Sequence, residues 1–271
     1  MPELPEAEYM VRRLRETPGA GVLVEKARVL RSSLVAPQSS ALVSRHLKGR
    51  RIESYSRRAK NVLLHFEGGW TARVQLGMTG HIYVWPDGRE LPRFARVVLD
   101  LSDQRAIVFE DARTFGNFHV YRTEDMPEVL AAYGPEPLDE AWTWEMFRES
   151  ARRSSGPVKP FLLDQTRVVG LGNIWAAEAL WEARISPFRA LPELKPAEWK
   201  RLHAAVRHVL AKAIEGTFAV TRSAEEFPEA DLLQCRVYGR EGQACGRCKK
   251  IPVLRQTQAG RSTFYCANCQ K

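Results

Sequence analysis

The sequence has no cysteine before position 235, no internal repeat and no low-complexity segment. No apolar run approaches the roughly 20 residues that a membrane-spanning helix needs, so a helical membrane protein is excluded. The start, "MPELPEAE", is polar and acidic where a secretory signal would be basic and then apolar, and a cytoplasmic chain is expected. Acid is in deficit: 32 Asp and Glu stand against 41 Lys and Arg, a formal net charge of +9 at pH 7. That imbalance favours a polyanionic partner, because clustered cations release counterions from a phosphate backbone. The basic clusters "RRLR" (12–15), "KGRR" (48–51), "SRRAK" (56–60) and "ARRSS" (151–155) are dispersed, so only folding could gather them. What is present suffices for a core. The 44% hydrophobic content is that of a globular protein, and 271 residues allow two ordinary domains or one large one.

Four of the five cysteines form "CGRC" (245–248) and "CANC" (266–269). Two CxxC pairs separated by a segment able to close as a hairpin can present four thiolates to one tetrahedral ion. Disulfides are disfavoured in the cytosol, and a thioredoxin-like redox motif needs one CxxC beside a βαβ pattern. Cys245, Cys248, Cys266 and Cys269 are therefore expected to hold one structural zinc ion per chain. Cys235 is left to ordinary packing.

Residues 4–16 read as a helix closed by "TPGAG". From about 22 to 122 eight short runs rich in Val, Leu and aromatics follow, punctuated by Gly, Pro and Asp, which predicts an antiparallel sandwich or barrel. "YGPEPLDE" (133–140) reads as a linker or turn. Helical patterns then cover 143–153, 157–166, 173–184 and 196–215, with 173–184 read as amphipathic and Asn173 placed to cap it. A short strand and the cysteine hairpin are expected from 233 onward. The expected fold class is α+β, in three parts. These are a β-rich N-terminal domain opened by a helix (1–132), a helical domain (133–232) and a zinc β-hairpin (233–271).

Nine segments in this order carry a resemblance: "MPELPEAE", "SRRAKNVLL", "QLGMTG", "DARTFG", "YGPEPL", "VKPFLLDQ", "VVGLGNIWAAEAL", "VYGREGQAC" and "GRSTFYCANCQ". They resemble the formamidopyrimidine-DNA glycosylase/endonuclease VIII family, and its formamidopyrimidine branch most. The resemblance spans nearly the whole chain. It implies that the N-terminal domain (1–132) is a catalytic two-sheet β-sandwich and that the middle domain (133–232) is a helix-two-turn-helix DNA-binding module, with double-stranded DNA, carrying oxidised bases or abasic sites, bound across the cleft between domains. It also implies a monomeric, bacterial-type, nucleoid-associated repair enzyme that removes a base and then nicks the strand.

The same resemblance assigns roles. Once Met1 is removed, Pro2 has a free secondary amine titrating near about 7.7–8.0. That amine can attack C1′ and form an iminium whose fixed positive charge acidifies the C2′ proton. Glu3 would move protons to the sugar, and Glu6, one helical turn on, would orient the amine or simply suit the helix start. Lys60 matches a lysine assigned to β-elimination, and Arg261 an arginine assigned to δ-elimination. Met78, Arg113 and Phe115 match three residues that enter the duplex when a base is flipped out. Arg96, Arg153, Lys159, Asn173 and Tyr238, with Arg261, are expected to contact DNA.

Three departures bear on substrate choice. Gln75 stands where the family commonly has histidine before "LGM". Phe94, in "RFARV" (93–97), stands where a DNA-contacting histidine is expected, leaving Arg96 to supply the contact. The segment 216–234 lacks the glycine and tyrosine pattern that caps 8-oxoguanine in the formamidopyrimidine branch. Removal of formamidopyrimidines, with 8-oxoguanine as a further substrate, is the leading expectation. Endonuclease VIII-like action on oxidised pyrimidines and non-catalytic binding of damaged DNA stay open beside it. Mere binding would need neither Pro2 nor Glu3.

Overall fold

All eight of the short β-periodic runs form strands. The computed structural model describes residues 2–220 and 235–271, and these divide into two compact units, 2–131 and 132–220 with 235–271. In chain order the first unit holds α1 (Leu4–Glu16), β1 (Val24–Val29), α2 (Ser40–Leu47), β2 (Ile52–Arg58), β3 (Asn61–Phe66) and β4 (Trp70–Gln75). It continues with β5 (Gly80–Trp85), β6 (Ala95–Leu101), β7 (Ala106–Asp111), β8 (Asn117–Arg122) and α3 (Met126–Val129). The strands make two antiparallel four-stranded sheets, ordered β1-β6-β7-β5 and β2-β3-β4-β8. Val97, Leu99, Ile107 and Phe109 of one sheet share a continuous core with Val62, Leu64, Ala72, Val74 and Phe118 of the other. The two-sheet sandwich is thus the observed architecture.

Helix α1 buries Leu4, Ala7, Val11 and Leu14, the i, i+3, i+7, i+10 stripe of one helix face, and packs on β2, β3 and β5. Helix α2 was not among the expected elements. Its signals are a Ser39 hydroxyl accepting from Leu42 N–H (3.1 Å) and the i, i+4 pair Val43 and Leu47, both buried.

The second unit contains α4 (Trp144–Ser150), α5 (Val158–Leu163), α6 (Asn173–Glu182) and α7 (Pro196–Val220), then β9 (Leu254–Gln258) paired antiparallel with β10 (Arg261–Tyr265). Three expectations change here. Helix α6 is not amphipathic: every residue from Asn173 to Trp181 is buried, because α5, α7 and β10 pack around it. Gly172, not Asn173, is its N-cap, and Asn173 is the first helical residue. Between residues 235 and 245 the expected short strand does not form; isolated bridges join Glu241 to Val253 and Ala244 to Pro252 instead. The divergent segment noted at 216–234 lies, from 221, outside the described residues. No helix among the described residues is long and apolar enough to cross a membrane.

Candidate active site

The start of α1 concentrates buried acid. Pro2 is buried, and Glu3 and Glu6 are 1% and 4% exposed. Glu3 is the N-cap, and the two glutamates form a reciprocal capping box: the Glu3 side chain accepts from the Glu6 backbone N–H, and Glu6 Oε2 accepts from Glu3 N–H at 2.8 Å. Pro5 fits the first turn, where a missing N–H is not needed. Burial, and then the neighbouring Glu3 charge, push the Glu6 carboxyl up to about 7. Its other oxygen, Oε1, is buried with no hydrogen-bond partner among the described residues. A carboxyl so placed holds or releases a proton near neutral pH.

Lys60 sits in the two-residue turn that closes the β2–β3 hairpin, where Arg58 pairs with Asn61. Ala59, buried beside it, adopts φ +55°, a left-handed turn conformation. Side chains hold this turn in place. Arg57 donates to Ala59 O (2.8 Å), and Asn61 Nδ2 donates to Arg58 O (3.0 Å). Arg57 also pairs with Glu8 of α1 (3.0 Å), so the hairpin that carries Lys60 is tied to the helix that carries Glu3 and Glu6.

Met78 and Phe115 are large apolar side chains 38% and 58% exposed, at the tips of the β4–β5 and β7–β8 loops. The Arg113 guanidinium lies 4.6 Å over the Phe115 ring. Beneath these tips is Asp111, the last residue of β7 and fully buried, a group that the sequence reading passed over. Asp111 Oδ1 accepts from Thr79 Oγ1 (2.5 Å) and Arg113 N–H (3.2 Å), and Oδ2 from Gly116 N–H (2.8 Å). Its only sequence signal is an acid at a strand end ahead of a glycine-closed loop. Backbone contact adds to the hydrogen bonds. A Cβ on Gly77, which has φ +63°, would lie 2.6 Å from Gly116 N and Phe115 C. Arg96 Nε donates to the Asp111 carbonyl (2.8 Å), and Phe94 lies under both Arg93 and Arg96. The two departures are therefore placed beside the loops: Gln75 Oε1 accepts from Asn117 Nδ2 (2.7 Å) where β4 and β8 end.

In the second unit, Lys159 is 1% exposed, and its ammonium donates to Ser262 O (3.0 Å) and Thr263 Oγ1 (2.7 Å). Asn173 Nδ2 donates to the same Ser262 O (2.9 Å). Both side chains thereby fix the backbone next to Arg261, which is exposed at the first position of β10 after the Ala259–Gly260 turn. A depression of about 230 Å³ beside it is lined by Lys159, Leu163, Asp164, Gln258 and Arg261. The Tyr238 ring meets Phe264 edge-on at 5.0 Å, and its backbone N–H donates to the buried Glu178 carboxylate of α6, as do those of Arg236 and Val237. Arg153 is exposed in the turn after α4.

The four cysteines converge. Their sulfurs lie within 4.8 Å of one another, with Cys245–Cys269 at 3.9 Å and Cys248–Cys266 at 3.7 Å. A tetrahedron of Zn–S bonds of about 2.3 Å has edges of about 3.8 Å, so the donor set fits zinc. Backbone N–H groups, Lys250's first, bring the Cys248 thiol down to about 6, whereas burial and then the adjacent thiols push Cys269 up to about 12. Four thiolates this close need a cation to coexist.

Comparison with known proteins agrees with this geometry. The family model of the formamidopyrimidine-DNA glycosylase N-terminal domain matches residues 1–118, and that of the formamidopyrimidine-DNA glycosylase H2TH domain matches 133–223. The formamidopyrimidine-DNA glycosylase of Thermus thermophilus is 40% identical over 279 residues, covering 100% of this chain and 98% of the relative. That of Chloroflexus aurantiacus is 35% identical over 273 residues, with 100% and 98% covered. The Lactococcus lactis Fpg bound to DNA containing N7-benzyl-Fapy-dG superposes with a TM-score of 0.92 at 29% identity, both chains covered in full. The same protein bound to abasic-site DNA gives 0.91 at 28% identity, with 99% of each chain covered.

Proposed function

Because the chain belongs to the formamidopyrimidine-DNA glycosylase family, DNA glycosylases with AP-lyase activity, we propose that it excises oxidised purines from duplex DNA through the amine of Pro2 and then cuts the strand. Formamidopyrimidines are the leading substrates and 8-oxoguanine a further one. With Met1 removed, the Pro2 lone pair forms a bond to C1′, and the base leaves with the electrons of its glycosidic bond and takes up a proton. The nitrogen gives up its own proton, the sugar C1′–O4′ bond opens with a proton delivered to O4′ by Glu3, and an iminium results. Its charge acidifies C2′–H. Removal of that proton, with Lys60 at the phosphate, expels the 3′-phosphate; a second elimination, aided by Arg261, expels the 5′-phosphate. Hydrolysis of the iminium returns Pro2.

The observation that carries this reading is the head of α1, where buried Pro2 adjoins two buried carboxyls, one of them titrating at about 7. Such a group can exchange protons at the pH where the amine is partly neutral. Met78 and Phe115 replace the stacking lost on extrusion of the damaged nucleotide, and Arg113 hydrogen-bonds the base left behind. Arg96, Arg153, Asn173, Tyr238 and Arg261 hold phosphates, with Lys159 acting through the Arg261 turn. One zinc ion on Cys245, Cys248, Cys266 and Cys269 would be structural, since four thiolates leave no position for a reacting water. The protein is read as a monomer acting on duplex DNA.

Borohydride trapping on a duplex with an abasic site tests the proposal. Methionine-processed protein should give one covalent adduct, mapping to Pro2, and protein retaining Met1 should give none. No adduct through Pro2 in processed protein overturns it. A second substrate reading rests on one comparison: Lactococcus lactis Fpg has also been solved with DNA containing an oxidised pyrimidine (TM-score 0.91, 29% identity). Cleavage of oxidised pyrimidines as fast as formamidopyrimidines would move the substrate assignment there.

A further inference from the structure

We propose that the Asp111 carboxylate is a positioning residue that presets Met78, Arg113 and Phe115 as one rigid wedge, and that it thereby governs extrusion of a lesion from a paired duplex. This rests on the functional reading above.

Among the described residues, the three hydrogen bonds that the carboxylate accepts all come from the two wedge loops: Thr79 Oγ1 on the Met78 side, and Arg113 N–H and Gly116 N–H on either side of Phe115. Thr79 Oγ1 in turn accepts from Arg113 N–H (3.1 Å), so the loops are cross-linked twice over. The tips themselves have little support: Met78 and Phe115 are substantially exposed, and the Arg113 guanidinium rests on Phe115. Their placement therefore depends on the backbone below them. There the approach is too close for a side chain, with a Cβ on Gly116 2.6 Å from Gln75 O and one on Gly77 2.6 Å from Gly116 N. A wedge that must replace stacking and hydrogen bonds at the moment of flipping gains from being fixed beforehand.

A carboxylate suits this task and an amide does not. Asparagine offers a single acceptor oxygen, and in either orientation its NH₂ would face one of the two backbone N–H groups. Asp111→Asn and Thr79→Val remove, respectively, the hub and its link to the Met78 loop.

The test compares single-turnover rates on two substrates. One is a duplex with a formamidopyrimidine opposite cytosine, where a base must be flipped. The other is a single-stranded oligonucleotide with an abasic site, where nothing has to be extruded, read by borohydride adduct formation. Asp111→Asn is expected to slow base removal from the duplex by about 10- to 100-fold while leaving single-strand trapping within about twofold. Thr79→Val is expected to show the same split at about tenfold, and it decides alone if Asp111→Asn does not fold. Equal losses on both substrates, or no loss on the duplex, overturn the proposal. Wild-type protein that traps neither on the single strand nor on a duplex with an abasic site would instead overturn the functional reading itself.

Discussion

Glu6 combines two tasks, capping its helix and storing a proton. The folded form keeps a proton on Glu6 up to about pH 7, while the unfolded chain releases it from about 4.5. Between those values the folded state binds more protons, so this group's contribution to stability falls as pH rises, and it is level above 7. Glu6→Gln removes that dependence and keeps an acceptor for the Glu3 N–H. In urea titrations across pH 4.5 to 7.5, the variant should gain on wild type by a total on the order of 3 kcal/mol, with no further gain above pH 7.5. A constant difference across the range would show that Glu6 is ionised in the fold. At this scale the sequence was legible where spacing dictates placement, as with the two CxxC pairs, whose four sulfurs lie within 4.8 Å of one another. It was not legible for Asp111 or for Lys159. Whether a carboxylate or an ammonium reaches solvent depends on neighbours that are 32 residues (Thr79) and 103 residues (Ser262) away along the chain.

Among the elements, strands were the most readable. Each of the eight runs carries β-branched residues, aromatic residues or both between turn residues, and that local pattern survives folding. Helix α6 shows the opposite. Its composition announces a helix, but burial on all sides comes from α5, α7 and β10, which no local pattern reports. The same holds for the loops: "QLGMTG" and "DARTFG" read as glycine-closed turns, and only their meeting makes Gly77 indispensable. Gly77→Ala places a methyl 2.6 Å from the neighbouring loop's backbone at φ +63°. It should destabilise the first unit by about 2 kcal/mol or more. Urea midpoints measure this, and an unchanged midpoint would mean that the loops are free to separate.

For the whole molecule, the excess of positive charge becomes a binding property only through where the cations lie. Four proposed phosphate contacts are cationic: Lys60, Arg96, Arg153 and Arg261. The logarithm of duplex affinity should then fall against the logarithm of salt concentration with a slope of about −4. Removing the proposed zinc ion with a strong chelator should make the slope shallower by about one, because Arg261 stands on the strand that leads directly into Cys266. Fluorescence anisotropy with and without chelator reads both. A slope near zero, or one that chelation leaves unaltered, would break the assignment. The sequence by itself determined most of the element types, the cysteine set and the family, since each is written in residue identity and short-range spacing. Only the tertiary structure decided that Lys159 braces the β10 backbone, that Glu6 holds its proton to about pH 7 and that Asp111 joins the β4–β5 and β7–β8 loops. Those outcomes depend on desolvation and on hydrogen bonds between distant segments, which do not exist until the chain has folded.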